Sequence, residues 1–362
     1  MKKNFTLLVL VVSLSCFVAN YFMLSDLQKI WSTAQKPLFD FYGQWALCAY
    51  TLQSIDPYAI TGLKTPLIEE IGIIPAIWST TPWGLILGNF FYPGFLNVVD
   101  AAKYFWLLNL LILLITGFVL RNHFRFGAII LPAFLGGFLI SAYFGNAGAV
   151  ICCLLILSCL WAEELPILAG VLLSLAMVKP QIALPICFAM LLKKYFKVLI
   201  VAALIDFAAW GVAALITNQT PLNLLTEFLS INTGGGVAFA GLFTLAFTEN
   251  LSLAMGLSML AGILFIWLTF RDEKYFWACP ACLTTTFFAY SFHNEFFILI
   301  LPALFCIDLA ARTDSKIFWL SAFAFMSFGV FVLFFILGDF WLTRTIFALV
   351  MILLGFLMAK NF

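Results

Sequence analysis

The chain has 362 residues, of which 64% are hydrophobic and 10% charged, and its 18 Lys and Arg nearly balance 17 Asp and Glu. Soluble domains carry about 25% charged residues, so this chain cannot cover itself for water. The net charge of +1 without a basic run excludes a nucleic-acid surface, the high hydrophobicity excludes disorder, and apolar runs of helical length exclude a transmembrane β-barrel. The remaining class is an all-α polytopic membrane protein, read as one integral membrane domain over 1–362.

Lys2 and Lys3 precede an apolar run from Phe5 to Leu24 that no A-x-A-like cleavage site closes, which reads as an uncleaved first span. Residues 25–100 form a long loop with Trp31, Phe39, Tyr42, Trp45, Trp78 and Trp83 among many prolines. It is too apolar for disorder, and amphipathic helices lying on the membrane surface are expected there. Pro37 suits the start of a helix over 38–53, on which Asp40, Gln44 and Thr51 fall near one face. Ile55-Asp56-Pro57-Tyr58 predicts the turn that ends it.

Further spans are expected at 101–120, 127–143, 147–162, 165–178, 181–193 and 197–216. A second long loop over 217–250 follows, and then spans at 251–270, 276–291, 295–310, 317–338 and 342–359. The total is twelve, within a range of 10–13. Spans 165–178 and 181–193 are too short to cross about 30 Å of hydrocarbon. They meet at Lys179-Pro180, where proline interrupts the helix, and a protein-lined, water-filled cavity is expected there. Twice as many of the 18 Lys and Arg fall on the loops assigned inside as on those outside. Both termini are thus expected in the cytoplasm, and the two long loops on the exoplasmic face of a bacterial inner (plasma) membrane.

The nine cysteines lie mostly inside apolar runs. Cys279-Pro-Ala-Cys282 lacks the βαβ surroundings of a redox motif, and no structural disulfide is expected. Gly234-Gly235-Gly236 lacks the Lys-Ser/Thr of a P-loop. His123 and His293 are predicted on opposite faces, and no cluster has metal-ligand spacing. A divalent metal held by carboxylates and phosphate stays open but is not indicated. Asp206 falls in the middle of span 197–216, either paired or neutral.

Asp40-Phe41-Tyr42, a short helix and then Asp56-Pro57-Tyr58 resemble the first exoplasmic loop of the GT-C membrane glycosyltransferases. More narrowly, the chain is similar to glycosyltransferase family 87, which includes mannosyltransferases that use polyprenyl-phosphate mannose. Gly145-Asn146-Ala147-Gly148, Lys179-Pro180-Gln181, Lys193-Lys194-Tyr195 and Ser291-Phe292-His293-Asn294-Glu295 follow in the family's order. Asn146 stands where the family commonly has Gln. Together these elements cover roughly residues 35–310.

The resemblance implies transfer of a sugar from a polyprenyl phosphate to a lipid or glycan acceptor at the exoplasmic membrane edge. An inverting transfer needs a carboxylate to take the attacking hydroxyl's proton and a cation near the departing phosphate. Asp40 is the candidate base; its bland alternative is helix capping or a solvated face. Lys179 is the candidate phosphate contact, or else a lysine snorkelling to the headgroups. Tyr42, Gln44, Asp56, Tyr58 and Asn146 are candidates for shaping the substrate pocket, although Asp56 could simply organise its turn. His293 and Arg344 are further candidate contacts to phosphate or sugar. The rival reading is a membrane transporter or lipid flippase, for which paired broken helices in two repeated halves would be expected.

Overall fold

The computed structural model describes residues 2–32, 38–58, 80–235, 251–271, 273–283, 296–337 and 340–361. Among the described residues the regular structure is entirely helical. In chain order the helices are α1 (Lys2–Ser32), α2 (Phe39–Leu52), α3 (Gly84–Leu87), α4 (Val98–His123), α5 (Gly127–Phe144), α6 (Gly148–Trp161), α7 (Pro166–Ala176) and α8 (Pro180–Leu192). They continue as α9 (Phe196–Ile216), α10 (Pro221–Gly235), α11 (Leu251–Thr269), α12 (Ala278–Leu283), α13 (Ile300–Arg312), α14 (Lys316–Ala324), α15 (Val330–Leu337) and α16 (Phe340–Lys360).

The ends of these helices have local causes. Pro166 and Pro180 stand at the first positions of α7 and α8, where a missing N–H costs nothing. Asn97 caps α4 by accepting from the Asp100 N–H at 3.0 Å. Gly145 ends α5 with φ +73, a left-handed conformation that glycine adopts without strain.

Segments in α1, α4, α5 and α9 are long and apolar enough to cross a membrane. Helices α6, α7 and α8 have 14, 11 and 13 residues. Helix α6 is buried continuously from Gly148 to Cys159. It is apolar on every side because every side faces protein. By contrast α4 exposes Leu107, Leu110, Leu111, Leu114 and Phe118, an apolar helical stripe with no partner among the described residues. The chain is an all-α, membrane-embedded protein. Helix α1 packs on α5, α7 packs against both α6 and α9, and α12 packs on α16.

The turns sort to two ends. At one end Phe124 stacks on Tyr275 at 5.9 Å, and Tyr195 meets Phe276 at 5.6 Å. Lys274 lies 5.0 Å over the Phe124 ring, and Arg125 donates to the Thr6 hydroxyl at 3.2 Å. This end is rich in cations. The opposite end carries the start of α2, the 91–97 segment, the α5–α6 corner and the α7–α8 corner.

Some boundaries differ from the apolar pattern. The first helix continues past Leu24 to Ser32, because apolar period marks where lipid or core lies and not where helical hydrogen bonding stops. The run over 317–338 is interrupted by a π-helical turn at Phe325–Gly329. Beside it, the buried Asn20 amide donates to the Ala133 carbonyl at 2.8 Å and the Ser327 carbonyl at 3.3 Å, as displaced carbonyls require in an apolar medium. Of the expected span 276–291, α12 and its lead-in are described, and 284–291 lie outside the described residues. All nine cysteines are thiols.

Candidate functional site

The site is built where α2 meets the α5–α6 corner. Leu38, just before α2, is left-handed at φ 61 and ψ 21, a conformation that costs a non-glycine residue about 1–2 kcal/mol. Its N–H donates to the Tyr143 carbonyl at 2.9 Å, which holds it there. A Cβ at Gly145 would run into Phe41, so the absence of a side chain lets α2 lie directly on the corner. Asp40, in the first turn of α2, is thereby brought to Asn146.

Asn146 joins three segments. Its Nδ2 donates to Asp40 Oδ2 at 2.8 Å, and its Oδ1 accepts from Lys179 Nζ at 2.6 Å. The same Oδ1 accepts from the Gly148 N–H at 2.8 Å, which opens α6. This fixes the amide's orientation, since only its oxygen can take those two donors. Asp40, Asn146 and Lys179 thus form one chain of carboxylate, amide and ammonium across α2, the α5–α6 corner and the α7–α8 corner. All three are partly buried.

The two corners are held from behind. The Tyr92 hydroxyl accepts from the Ala147 N–H at 2.8 Å and donates to the Gly145 carbonyl at 3.3 Å. The Tyr92 ring stacks on Phe105 at 5.5 Å and touches Phe41. Burial raises the Tyr92 phenol well above its ordinary range, with the Asp40 charge adding in the same direction, so it stays a neutral donor. Ser141 Oγ donates to the Asn146 carbonyl at 2.6 Å. On the other side the Trp83 indole N–H donates to the Met177 carbonyl at 2.8 Å, two residues before Lys179. Tyr92, Trp83 and Ser141 were not among the residues expected from the sequence. The roles of Tyr92 and Trp83 come from long-range hydrogen bonds and that of Ser141 from a bond five residues away, although Tyr92-Pro93 and Thr81-Pro82-Trp83 stand out as aromatic-proline turns.

The other expected residues are distributed around this core. Tyr42 lines a groove of about 290 Å³ with Val98, Val99, Ala102, Lys103 and Trp106. Gln44 lies one turn along α2 from Asp40. Asp56 and Tyr58 belong to a second polar group. Asp56 Oδ1 accepts from the Tyr58 N–H at 2.9 Å, and Oδ2 accepts from the Gln219 amide, which also reaches Glu227 at 3.4 Å. The Tyr58 hydroxyl donates to the Thr80 carbonyl at 2.6 Å. Desolvation, then the nearby Asp56 charge, raises the Glu227 carboxyl above its usual 4.5. His293 lies outside the described residues, and Arg344 lies in α16. Asp206, at the middle of α9, accepts from the Ser174 hydroxyl of α7 at 2.7 Å. Among the described residues no three His, Cys, Asp or Glu side chains group as metal ligands.

An acid that can take a proton is therefore linked through one amide to a cation that can face an anion, with an apolar and aromatic groove beside the same helix. No protein-family model, curated protein or solved structure matches this chain.

Proposed function

We propose that the chain is a membrane glycosyltransferase of GT-C type. It moves a sugar, such as mannose, from a polyprenyl-phosphate donor to a hydroxyl of a lipid or glycan acceptor, with inversion at the anomeric carbon. The observation that carries this reading is the Asp40–Asn146–Lys179 chain. A base and a phosphate contact are needed close together but not neutralising one another, and an amide between them is suited to that arrangement.

In this mechanism the Asp40 carboxylate accepts the acceptor hydroxyl's proton as its oxygen attacks the anomeric carbon. The bond from that carbon to the phosphate oxygen breaks, and its electron pair stays on the departing lipid phosphate. Lys179 faces the charge that grows there. Asn146 positions both groups. The groove between Tyr42 and Trp106 offers apolar contact for the donor's isoprenoid chain beside α2. The accompanying topology has twelve spans, cytoplasmic termini and an exoplasmic site in a bacterial inner membrane. The cation-rich end of the bundle supports that orientation.

The test is transfer of radiolabelled sugar from polyprenyl phosphate by the full chain in proteoliposomes. Asp40→Asn is expected to lower transfer at least about 100-fold with expression and donor binding retained. Undiminished transfer by that variant would remove Asp40 as base. A transporter or flippase is the second reading, favoured by one observation. Asp206 places a carboxyl midway along α9, and such groups mark proton or substrate paths in transporters. Movement of a polyprenyl-phosphate sugar across liposomes with no glycosidic bond formed would establish that reading instead.

A further inference from the structure

We infer that a cleft at the cation-rich end of the bundle binds the headgroup of a membrane lipid carrying both a phosphodiester and a primary amine, as phosphatidylethanolamine does. The cleft lies at the opposite end of the molecule from Asp40 and Lys179 and does not depend on the reading given to them.

The cleft has a volume of about 230 Å³ and is lined by Glu273, Lys274, Tyr275, Phe305, Asp308 and Arg312. Pockets for drug-sized ligands start at roughly 300 Å³, so this one suits a headgroup and not a whole lipid. Its wall is aromatic: the Tyr275 and Phe305 rings lie 4.8 Å apart, and Phe124 stacks on Tyr275 at 5.9 Å. Phe124 directly follows α4, a helix long and apolar enough to cross a membrane. The cleft therefore lies where a spanning helix ends, at the level of the headgroups. Arg312 ends α13, and just beyond it in the chain Ile317 and Phe318, in the first turn of α14, are exposed apolar side chains. They offer contact to the acyl chains of a lipid whose headgroup enters the cleft.

The charges of the cleft do not all neutralise one another. Arg312 pairs with Asp308 at 2.7 Å. Burial, then the Asp308 charge, push the Tyr275 phenol above its ordinary range, so its hydroxyl stays protonated beside that carboxylate. Asp308 is thus engaged. Lys274 lies 5.0 Å over the Phe124 ring and 5.6 Å over the Tyr275 ring. Among the described residues neither Lys274 nor Glu273 forms an ion pair, and both are exposed. One cation and one acid thus remain at the rim of a cleft whose other pair is satisfied. The complementary ligand carries one negative and one positive charge close together. Its phosphodiester faces Lys274, with the Arg312 guanidinium as a second donor, and its ammonium faces Glu273. A primary ammonium can donate hydrogen bonds to that carboxylate. The quaternary ammonium of phosphatidylcholine cannot, and phosphatidylglycerol has no cation to offer it.

The test is native mass spectrometry of the full chain with equimolar dioleoyl phosphatidylethanolamine, phosphatidylcholine and phosphatidylglycerol, read as occupancy by each lipid. Wild type is expected to hold phosphatidylethanolamine about fivefold over either competitor, the scale of an exposed ion pair. Glu273→Gln is expected to erase the preference over phosphatidylcholine, and Lys274→Gln to weaken all three lipids, which share the phosphodiester. Lys316→Gln, an exposed cation outside the cleft, is expected to bind like wild type. No preference in wild type overturns the inference, and so does a preference that survives Glu273→Gln. Strongest binding of phosphatidylglycerol overturns it in favour of a plain cationic patch, as does equal weakening by Lys316→Gln and Lys274→Gln. Glycerophosphoethanolamine, the same headgroup without acyl chains, is expected to displace the lipid only at far higher concentration; displacement at equal concentration overturns the lipid as occupant.

Discussion

Asn146 has one short side chain that serves an acid and a cation at once, so its substitution should be felt at both ends. Asn146→Ala is expected to lower sugar transfer about 100-fold, the usual penalty for misplacing reacting groups by an ångström, with a further loss of about 0.5–2 kcal/mol of stability because the Gly148 N–H loses its cap. Steady-state transfer beside a thermal-unfolding trace checks both halves of that expectation. Gly145→Ala should do the reverse. It forces a left-handed alanine, at about 1–2 kcal/mol, and drives a methyl group into Phe41, so a lower unfolding temperature is its main readout. Tyr92→Phe strands the Ala147 N–H in a buried corner, and about 1–3 kcal/mol of stability should go with it.

Between elements, Gln219 links the 56–58 turn to α10 by bridging Asp56 and Glu227. The folded state raises the Glu227 carboxyl above 4.5, so it holds a proton that the unfolded state releases more readily. The sign is then fixed: Glu227 contributes stability that is fully present below pH 4.5 and is lost as pH rises through the raised value, because desolvation and the Asp56 charge outweigh the Gln219 bond that favours the ionised form. Protection factors of the 53–58 amides, which remove the intrinsic base catalysis of exchange, should fall over that rise, and Glu227→Gln should flatten the dependence. The helices themselves were largely legible in the sequence, because prolines 166 and 180 and the charged turns punctuate apolar runs. The meeting of Asp40 with Asn146, 106 residues apart, and of Asn146 with Lys179, 33 apart, was not. Each residue stood out as a polar group in apolar surroundings, but spacing along a chain says nothing of which corners touch. Trp83 and Tyr92 were illegible for a further reason. Their significance lies in what their side chains reach, and an aromatic in an aromatic-rich loop has no distinguishing pattern.

For the whole molecule, Lys103 and Arg125 mark the two ends. Lys103 pairs with an exposed Asp100 at 3.0 Å near the site, a contact of little energetic weight, while Arg125 lies at the cation-rich end. In the proposed orientation, a membrane-impermeant maleimide should label Lys103→Cys in intact cells, and Arg125→Cys only after permeabilisation. The native thiols give low background, since eight of the nine are buried and Cys187 is partly so. The burial of α6 has a consequence for assembly. Fourteen residues span about 21 Å, short of the roughly 30 Å a lone helix must bridge, and no face is left for lipid. Such a segment has no stable residence in the bilayer by itself during synthesis. Its insertion must wait for, or be carried by, the longer α4 and α5 that pack against it, so the wall beneath the candidate site is among the last parts of the protein to be built.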